Sequence, residues 1–155
     1  MLDVLRAKHP EARPLTAASL TPYIGYPRKL TPVDITDNTV TAVAGRLSGG
    51  SGPTGTDSLS LQQWLLRFGA ARTELRLIVG DFIDWMSNGQ PPWAAYRDLM
   101  SGRLIALDKQ PGIRPVGVGE TWRRLMAKCL LKVAVHEVKV ACGTTQLAGG
   151  LEAGI

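Results

Sequence analysis

Residues that build metal centres and disulfide frameworks are scarce in this chain. Its 155 residues include two cysteines, Cys129 and Cys142, and two histidines, His9 and His136. The cysteines are too few and too far apart for a paired zinc motif or a disulfide framework, so we expect a reducing compartment. No histidine stands at metal-ligand spacing to the other or to a cysteine, and no Gly-x-Ser-x-Gly elbow of a serine hydrolase is present.

Long apolar runs are also lacking. No run approaches the ~20 residues that span a bilayer, and no basic-then-apolar segment precedes a cleavage site at the N-terminus. We therefore expect an intracellular protein of cytoplasm or nucleus with no membrane partner.

The composition is that of a folded, basic domain. Hydrophobic residues make up 45% and charged residues 20%, and 18 Lys and Arg against 13 Asp and Glu give a formal charge of +5. This excess favours an acidic partner, and nucleic acid and an anionic membrane both fit it. The length suits one domain of ordinary size.

Apolar residues at helical spacing predict five or six helices. Thr36 or Asp37 and Asp57 or Ser58 are expected to cap two of them. The predicted spans are residues 2–8, 37–47, 58–68, 70–87, 93–100 and 120–141. The stretch from Pro10 to Pro32 is rich in proline and predicts an extended arm.

Between the last two helices the pattern changes to a β-hairpin. Residues 103–108 and 113–118 are short and apolar, and they flank a turn in which Pro111-Gly112 suits the central positions of a type II turn. The predicted fold class is α+β, mainly helical with one antiparallel hairpin.

Core packing is the simplest interpretation of most large apolar residues. Helical spacing predicts buried positions for the four tryptophans and Cys129, and burial on more than one side for the helix that carries Ile78, Phe82 and Met86. Stacking on nucleic-acid bases is the alternative interpretation of the tryptophans. One face of the last helix is expected to hold Trp122, Met126, Cys129, Val133 and Val140. Asp81 and Asp84, three positions apart, are expected on a solvated helix edge.

Two cations bracket the predicted turn. Lys109 and Arg114 would be held close together by the strand ends, and a lysine point charge beside an arginine fork suits a polyphosphate or a nucleic-acid backbone. Two solvated surface charges are the alternative interpretation. The same choice applies to the basic helix residues Arg123, Arg124, Lys128 and Lys132, between a charged outer face and a phosphate-tracking surface.

The run from Arg103 to Leu131 resembles the fingers region of retroelement reverse transcriptases, RNA-directed DNA polymerases. In that family a strand, a basic turn, an Arg-Pro-hydrophobic strand and an Arg-x-hydrophobic-x-x-Lys helix occur in this order. Ser48-Gly-Gly-Ser-Gly-Pro-Thr-Gly-Thr-Asp57 is similar to the family's Gly-Pro-x-Gly loop, with Thr54 where Asp is common, and Gly143-Thr-Thr-Gln-Leu-Ala-Gly-Gly150 is similar to its Gln-hydrophobic-x-Gly segment. The resemblance covers residues 45–155, and residues 1–44 would hold the N-terminal helix, the arm and the start of the first fingers helix.

The resemblance implies a role for each basic site. Lys109 and Arg114 would bind the triphosphate of an incoming deoxynucleotide. The glycine loop at Gly52, Pro53 and Gly55, together with Arg123, Arg124 and Lys128, would lie against an RNA or DNA template-primer.

The family's catalytic aspartates are missing from this sequence. Neither the Phe-x-Asp strand nor the later Asp-Asp hairpin is present, and nucleotidyl transfer needs such carboxylates to hold magnesium. We therefore expect no catalytic residue and no metal in this chain, which would be a fragment comprising the fingers and the start of the palm of an incomplete right-hand polymerase. Mg2+ and the missing palm segment would belong to a full-length parent that performs RNA-templated DNA synthesis.

Two other hypotheses remain open. The chain would alternatively be a stand-alone basic helical module that binds RNA or protein without catalysis. A degenerate retroelement remnant would instead show marginal stability and exposed apolar surface.

Overall fold

The structure, a computed structural model, describes residues 2–8 and 32–142. This part of the chain contains six helices and one two-stranded antiparallel sheet, so the predicted α+β, mainly helical class is confirmed. Residues 10–31 of the predicted arm and the segment 143–150 lie outside the described residues. The elements are α1 (Leu2–Lys8), α2 (Asp37–Ala44), α3 (Ser58–Arg67), α4 (Ala71–Asn88), α5 (Trp93–Met100), β1 (Gly102–Asp108), β2 (Ile113–Gly119) and α6 (Thr121–Cys142).

The described residues form two compact units. The first joins residues 2–8 to the hairpin residues 104–117, and the second contains residues 32–103 and 118–142. In the first unit, the Lys8 ammonium donates a hydrogen bond to the Ile113 carbonyl at 2.8 Å. The hairpin closes through the Lys109 N–H, which donates to the Gly112 carbonyl at 2.9 Å.

The hairpin turn contains the predicted proline and glycine. Gly112 has φ 96°, a conformation that glycine adopts without steric cost. The bond that closes the hairpin joins Lys109 to Gly112, so the two residues that it encloses are Gln110 and Pro111 rather than the predicted Pro111-Gly112 pair. The Gln110–Pro111 peptide bond is cis. Each strand is one residue longer than the sequence pattern indicates.

Local signals in the sequence set the helix starts of the second unit. The Thr36 hydroxyl accepts from the Thr39 N–H at the start of α2, and the Asp57 carboxylate accepts from the Ser60 N–H at 2.7 Å at the start of α3. Both caps satisfy backbone donors that the first helical turn leaves without partners. The predicted helix starts are confirmed here.

The core of the second unit lies between α2, α3, α4 and α6. Its buried members include the residues predicted at helical spacing on α2, and Cys129 is fully buried on α6, as expected. Burial raises the pKa of the Cys129 thiol to about 11. The core residues are Ile35, Val40, Val43, Ala44, Leu47, Leu61, Leu65, Val79, Ile83, Leu125 and Cys129.

The Arg76 side chain links three helices of this core through one ion pair and one hydrogen bond. The Arg76 guanidinium on α4 is buried, and its Nε donates to the Asp37 carboxylate on α2 at 2.5 Å. Its Nη1 donates to the Leu65 carbonyl on α3 at 2.9 Å. Arg76 therefore satisfies a helix C-terminal carbonyl and a first-turn carboxylate at once.

The expectation of a solvated edge at Asp81 and Asp84 is wrong for Asp84. Its half-buried carboxylate accepts the Ile35 N–H at 3.0 and 3.1 Å, while Asp81 is exposed. Four residues earlier in the helix, a Cβ on Gly80 would lie 2.6 Å from the Ile35 carbonyl oxygen. The chain segment before α2 therefore packs closely on α4, and a carboxylate is needed there to satisfy a backbone N–H.

Burial of all four tryptophans is also wrong. Trp122 is partly buried against the core, but Trp64, Trp85 and Trp93 are 38%, 47% and 71% exposed. Helical spacing places such residues on a common face but does not supply a neighbour to cover it.

The same reason explains one other wrong prediction, the burial of α4 on more than one side. On α4, Val79, Ile83 and Met86 are buried, whereas Ile78 and Phe82 are exposed, so only one side of this helix is covered among the described residues. On α6, Val133 and Val140 continue the predicted apolar face beyond Cys129, and they are exposed there.

Candidate nucleic-acid interface

The hairpin presents the two predicted phosphate-binding cations. Lys109 directly follows β1, Arg114 is the second residue of β2, and both side chains are exposed. Within the described residues neither forms an ion pair with a carboxylate. The paired strands give the two cations a short, hydrogen-bonded support on which a polyphosphate could be held by charge and by the guanidinium fork.

The glycine loop, residues 48–57, is fastened to the start of α6 in the second unit. The Glu120 carboxylate accepts the Thr54 N–H at 3.1 Å and the Thr54 hydroxyl at 2.8 Å. The Thr121 hydroxyl donates to the Thr56 carbonyl at 2.6 Å. These bonds join positions about 65 residues apart in sequence and hold the loop against the helix.

The Glu120 carboxylate stays ionised at neutral pH although Glu120 is buried between the glycine loop and α6. Burial alone acts to raise the pKa of its carboxyl. The hydrogen bonds from Thr54, and from the N–H groups of Thr121 and Trp122, outweigh that effect and leave the pKa below its ordinary value of 4.5. A buried carboxylate that accepts several N–H and O–H bonds is well solvated by the protein itself.

The three predicted loop residues divide into one packing residue and two surface residues. Gly52 is buried, and a Cβ there would lie 2.6 Å from the Glu120 Cα and 2.9 Å from its backbone nitrogen. Pro53 and Gly55 are exposed, and Gly55 has φ 80° in open space. Gly52 allows the loop to approach α6, so only the other two present surface to a ligand.

The predicted arginines of α6 also contact this framework. Arg124 donates from Nη2 to the Gly50 carbonyl and, at 2.8 Å, to the Thr121 hydroxyl. Arg123 donates from Nη1 to the Met100 carbonyl at 3.0 Å. Both side chains are half-buried, so part of each guanidinium is already used to satisfy carbonyl groups. Lys128, by contrast, is exposed.

An apolar groove, which the sequence analysis missed, adjoins the glycine loop. It has a volume of about 500 Å³ and lies between α4, α5 and the start of α6. The excess of apolar residues on α4, beyond what one buried face needs, was the only sequence feature that indicated it. Its lining includes Thr54, Leu75, Ile78, Phe82, Leu99 and Trp122.

Neither a metal-binding cluster nor a membrane-spanning helix is found in residues 2–8 and 32–142. There, no three His, Cys, Asp or Glu residues stand close enough to hold a metal ion. No helix in the same ranges is long and apolar enough to cross a bilayer.

Comparisons with models of protein families, with curated protein sequences and with solved structures give no match. The resemblance to reverse transcriptases therefore rests on the sequence motifs alone, and the function that follows from it is a proposal.

Proposed function

We propose that this chain is the fingers region of a retroelement reverse transcriptase and that its hairpin grips the triphosphate of an incoming deoxynucleotide. The observation that carries the proposal is the hairpin with Lys109 at its turn and Arg114 on its returning strand. Phosphoryl transfer depends mainly on positioning and charge neutralisation, and two cations on a hydrogen-bonded support supply both.

Template or primer would lie against the second unit. The exposed tip of the glycine loop at Pro53 and Gly55, the free part of the Arg123 and Arg124 side chains, and Lys128 form the proposed contact set. Glu120 and Gly52 would not contact the template themselves. They would hold the glycine loop against α6 and so fix the position of its exposed tip.

Catalysis would require a palm segment that brings carboxylates and Mg2+. The exposed apolar side chains on α4, among them Ile78, Phe82 and Trp85, support the proposal that another segment of the same polymerase packs there. We propose that the complete enzyme works inside the cell, in the cytoplasm or nucleus, on an RNA template.

The nucleotide-binding role is tested by titrating the chain into a fluorescent deoxynucleoside triphosphate at low salt. Lys109→Ala and Arg114→Ala are each expected to weaken binding about tenfold, because each removes one charge-assisted contact to phosphate. Arg67→Ala/Arg97→Ala is the matched control, since it removes two exposed cations from α3 and α5. Equal affinity of the hairpin variants, the control and the unaltered chain would refute the proposal.

The template-binding role is tested by a salt titration with single-stranded RNA. Each lost phosphate contact should lower the slope of log affinity against log salt by about 0.7. Lys128→Ala is expected to show this change, whereas Arg67→Ala should leave the slope unaltered. An unchanged slope for Lys128→Ala would remove that residue from the template surface.

A further inference from the structure

A second groove lies between α2 and α6, and its chemistry differs from that of the hairpin. It has a volume of about 590 Å³. Aliphatic side chains form one part of its wall and three cations form the other. The lining residues are Ala42, Val43, Arg46, Lys128, Leu131, Lys132 and Val135.

The spacing on α6 explains why both kinds of residue meet here. Lys128, Leu131, Lys132 and Val135 stand at positions i, i+3, i+4 and i+7, which form one stripe of a helix. Arg46 follows the end of α2 on the opposite side of the groove. Glu137 stands nine positions after Lys128, on the other side of α6, and no carboxylate lines the groove.

The apolar part of the groove is accessible. Leu131 and Val135 are 56% and 41% exposed, although residues of this type are usually buried. Arg46, Lys128 and Lys132 are exposed as well, and within the described ranges none of them forms an ion pair. A ligand here would gain burial of aliphatic surface and neutralise three positive charges together.

We propose that this groove binds an acidic amphipathic helix of a protein partner. Carboxylates of the partner would face Arg46, Lys128 and Lys132, while its aliphatic side chains would cover Leu131 and Val135. The phosphates of a nucleic-acid strand would pair with the three cations but would not cover the aliphatic side chains. The groove also contains no aromatic side chain on which a base could stack. An amphipathic helix satisfies both halves, with anchors at helical spacing.

The inference does not depend on the proposed polymerase function, since the hairpin residues have no part in it. Lys128 is shared with the proposed template surface, and Arg46, Leu131, Lys132 and Val135 are not.

The test uses a fluorescein-labelled amphipathic peptide of about 18 residues, with leucines at helical spacing and glutamates on the flanking positions. A second peptide carries glutamine in place of every glutamate. The unaltered chain is expected to bind the glutamate peptide at least about tenfold more tightly than the glutamine peptide. Equal affinity for the two peptides would refute the proposal that carboxylates of the partner pair with the cations of the groove.

Variants of the chain locate the binding. Lys128→Ala/Lys132→Ala and Leu131→Ser should each weaken binding about tenfold, because one removes the charges and the other removes apolar contact. Arg67→Ala/Arg97→Ala removes the same number of exposed cations elsewhere and should leave binding within about twofold. Equal losses in that control would show non-specific charge attraction and refute the site.

The two classes of ligand are separated at the two cations of the groove that the proposed template surface does not include. Arg46→Ala/Lys132→Ala should weaken binding of the glutamate peptide about tenfold and leave the affinity for a single-stranded homopolymer RNA within about twofold. A loss of RNA affinity as large as the loss of peptide affinity would assign the groove to nucleic acid and overturn the proposal. Arg114→Ala should bind the peptide normally, whatever its effect on nucleotide binding.

Discussion

Replacing Gly52 by alanine tests whether the glycine loop is clamped to α6. The new Cβ would lie 2.6 Å from the Glu120 Cα and 2.9 Å from its nitrogen. Carbon atoms in contact normally stand about 3.5–4.0 Å apart, so the loop and the helix start would have to separate by about 1 Å. The neighbours are backbone atoms at the start of a 22-residue helix, and they cannot rotate away.

The expected cost of Gly52→Ala is about 1–3 kcal/mol of unfolding free energy, the usual range for an overpacked site. The separation would also weaken the Thr54 bonds to Glu120. Urea unfolding followed by tryptophan fluorescence measures the change, and for a chain of this length Tm should fall by roughly 2–12 °C.

Gly50→Ala is the matched control, two positions away in the same loop. Nothing lies within 4 Å of a Cβ at Gly50. Its unfolding free energy should therefore stay within about 0.5 kcal/mol of that of the unaltered chain. Equal stabilities of the two variants would refute the clamp.

Four further substitutions, in three experiments, test other contacts of the second unit. Arg76→Ala removes a buried guanidinium from its ion pair with the half-buried Asp37 and should cost about 2 kcal/mol of unfolding free energy in urea, while Arg97→Ala, whose pair with Asp98 is exposed, should cost below about 0.5 kcal/mol. Similar losses of unfolding free energy in Arg76→Ala and Arg97→Ala would contradict the stabilising role of the buried Arg76 side chain. Thr54→Asp would put a second carboxylate against Glu120, so it should cost about 2 kcal/mol at neutral pH, and adding Glu120→Gln should recover part of the loss. The fold lowers the pKa of the Glu120 carboxyl, so the ionised carboxylate stabilises the folded state. This contribution to the unfolding free energy is fully present above about pH 4.5 and is lost as the pH falls through the lowered pKa. Glu120→Gln should therefore lose less unfolding free energy between pH 6 and pH 3 than the unaltered chain, and parallel pH profiles would contradict this.

Local chemistry made much of the fold predictable. Thr36 and Asp57 cap the helices that their side chains predicted, and Pro111-Gly112 marks the hairpin turn. Such features depend on hydrogen bonds and torsion angles within a few residues, which a sequence displays directly.

Features that depend on distant neighbours could not be predicted. The spacing of Ile78, Phe82 and Trp85 shows that these residues share a helix with core residues, but it does not show which face another element covers. Glu120 and Thr54 are 66 positions apart, and their contact depends on how the loop packs on α6. Long-range contacts of this kind are set by tertiary packing.

The same contact bears on the family resemblance. The proposed relation to reverse transcriptases would pair Thr54 with a position at which that family commonly has aspartate, and in this chain Glu120 supplies a carboxylate beside Thr54. An aspartate and a glutamate could not both be ionised at that distance without a cost, so the threonine fits the glutamate beside it. Threonine in place of aspartate therefore agrees with the two hydrogen bonds that Thr54 donates to Glu120.

The central claim is that the hairpin binds the phosphates of a deoxynucleotide. The most direct measurement is a titration of the isotope-labelled chain with a deoxynucleoside triphosphate, followed residue by residue by 1H–15N NMR. We predict that the largest shifts fall on the amides from Asp108 to Arg114 and that they vanish in Lys109→Ala/Arg114→Ala. Shifts confined to α6 or spread evenly over the basic surface, with the hairpin amides unmoved, would contradict the claim.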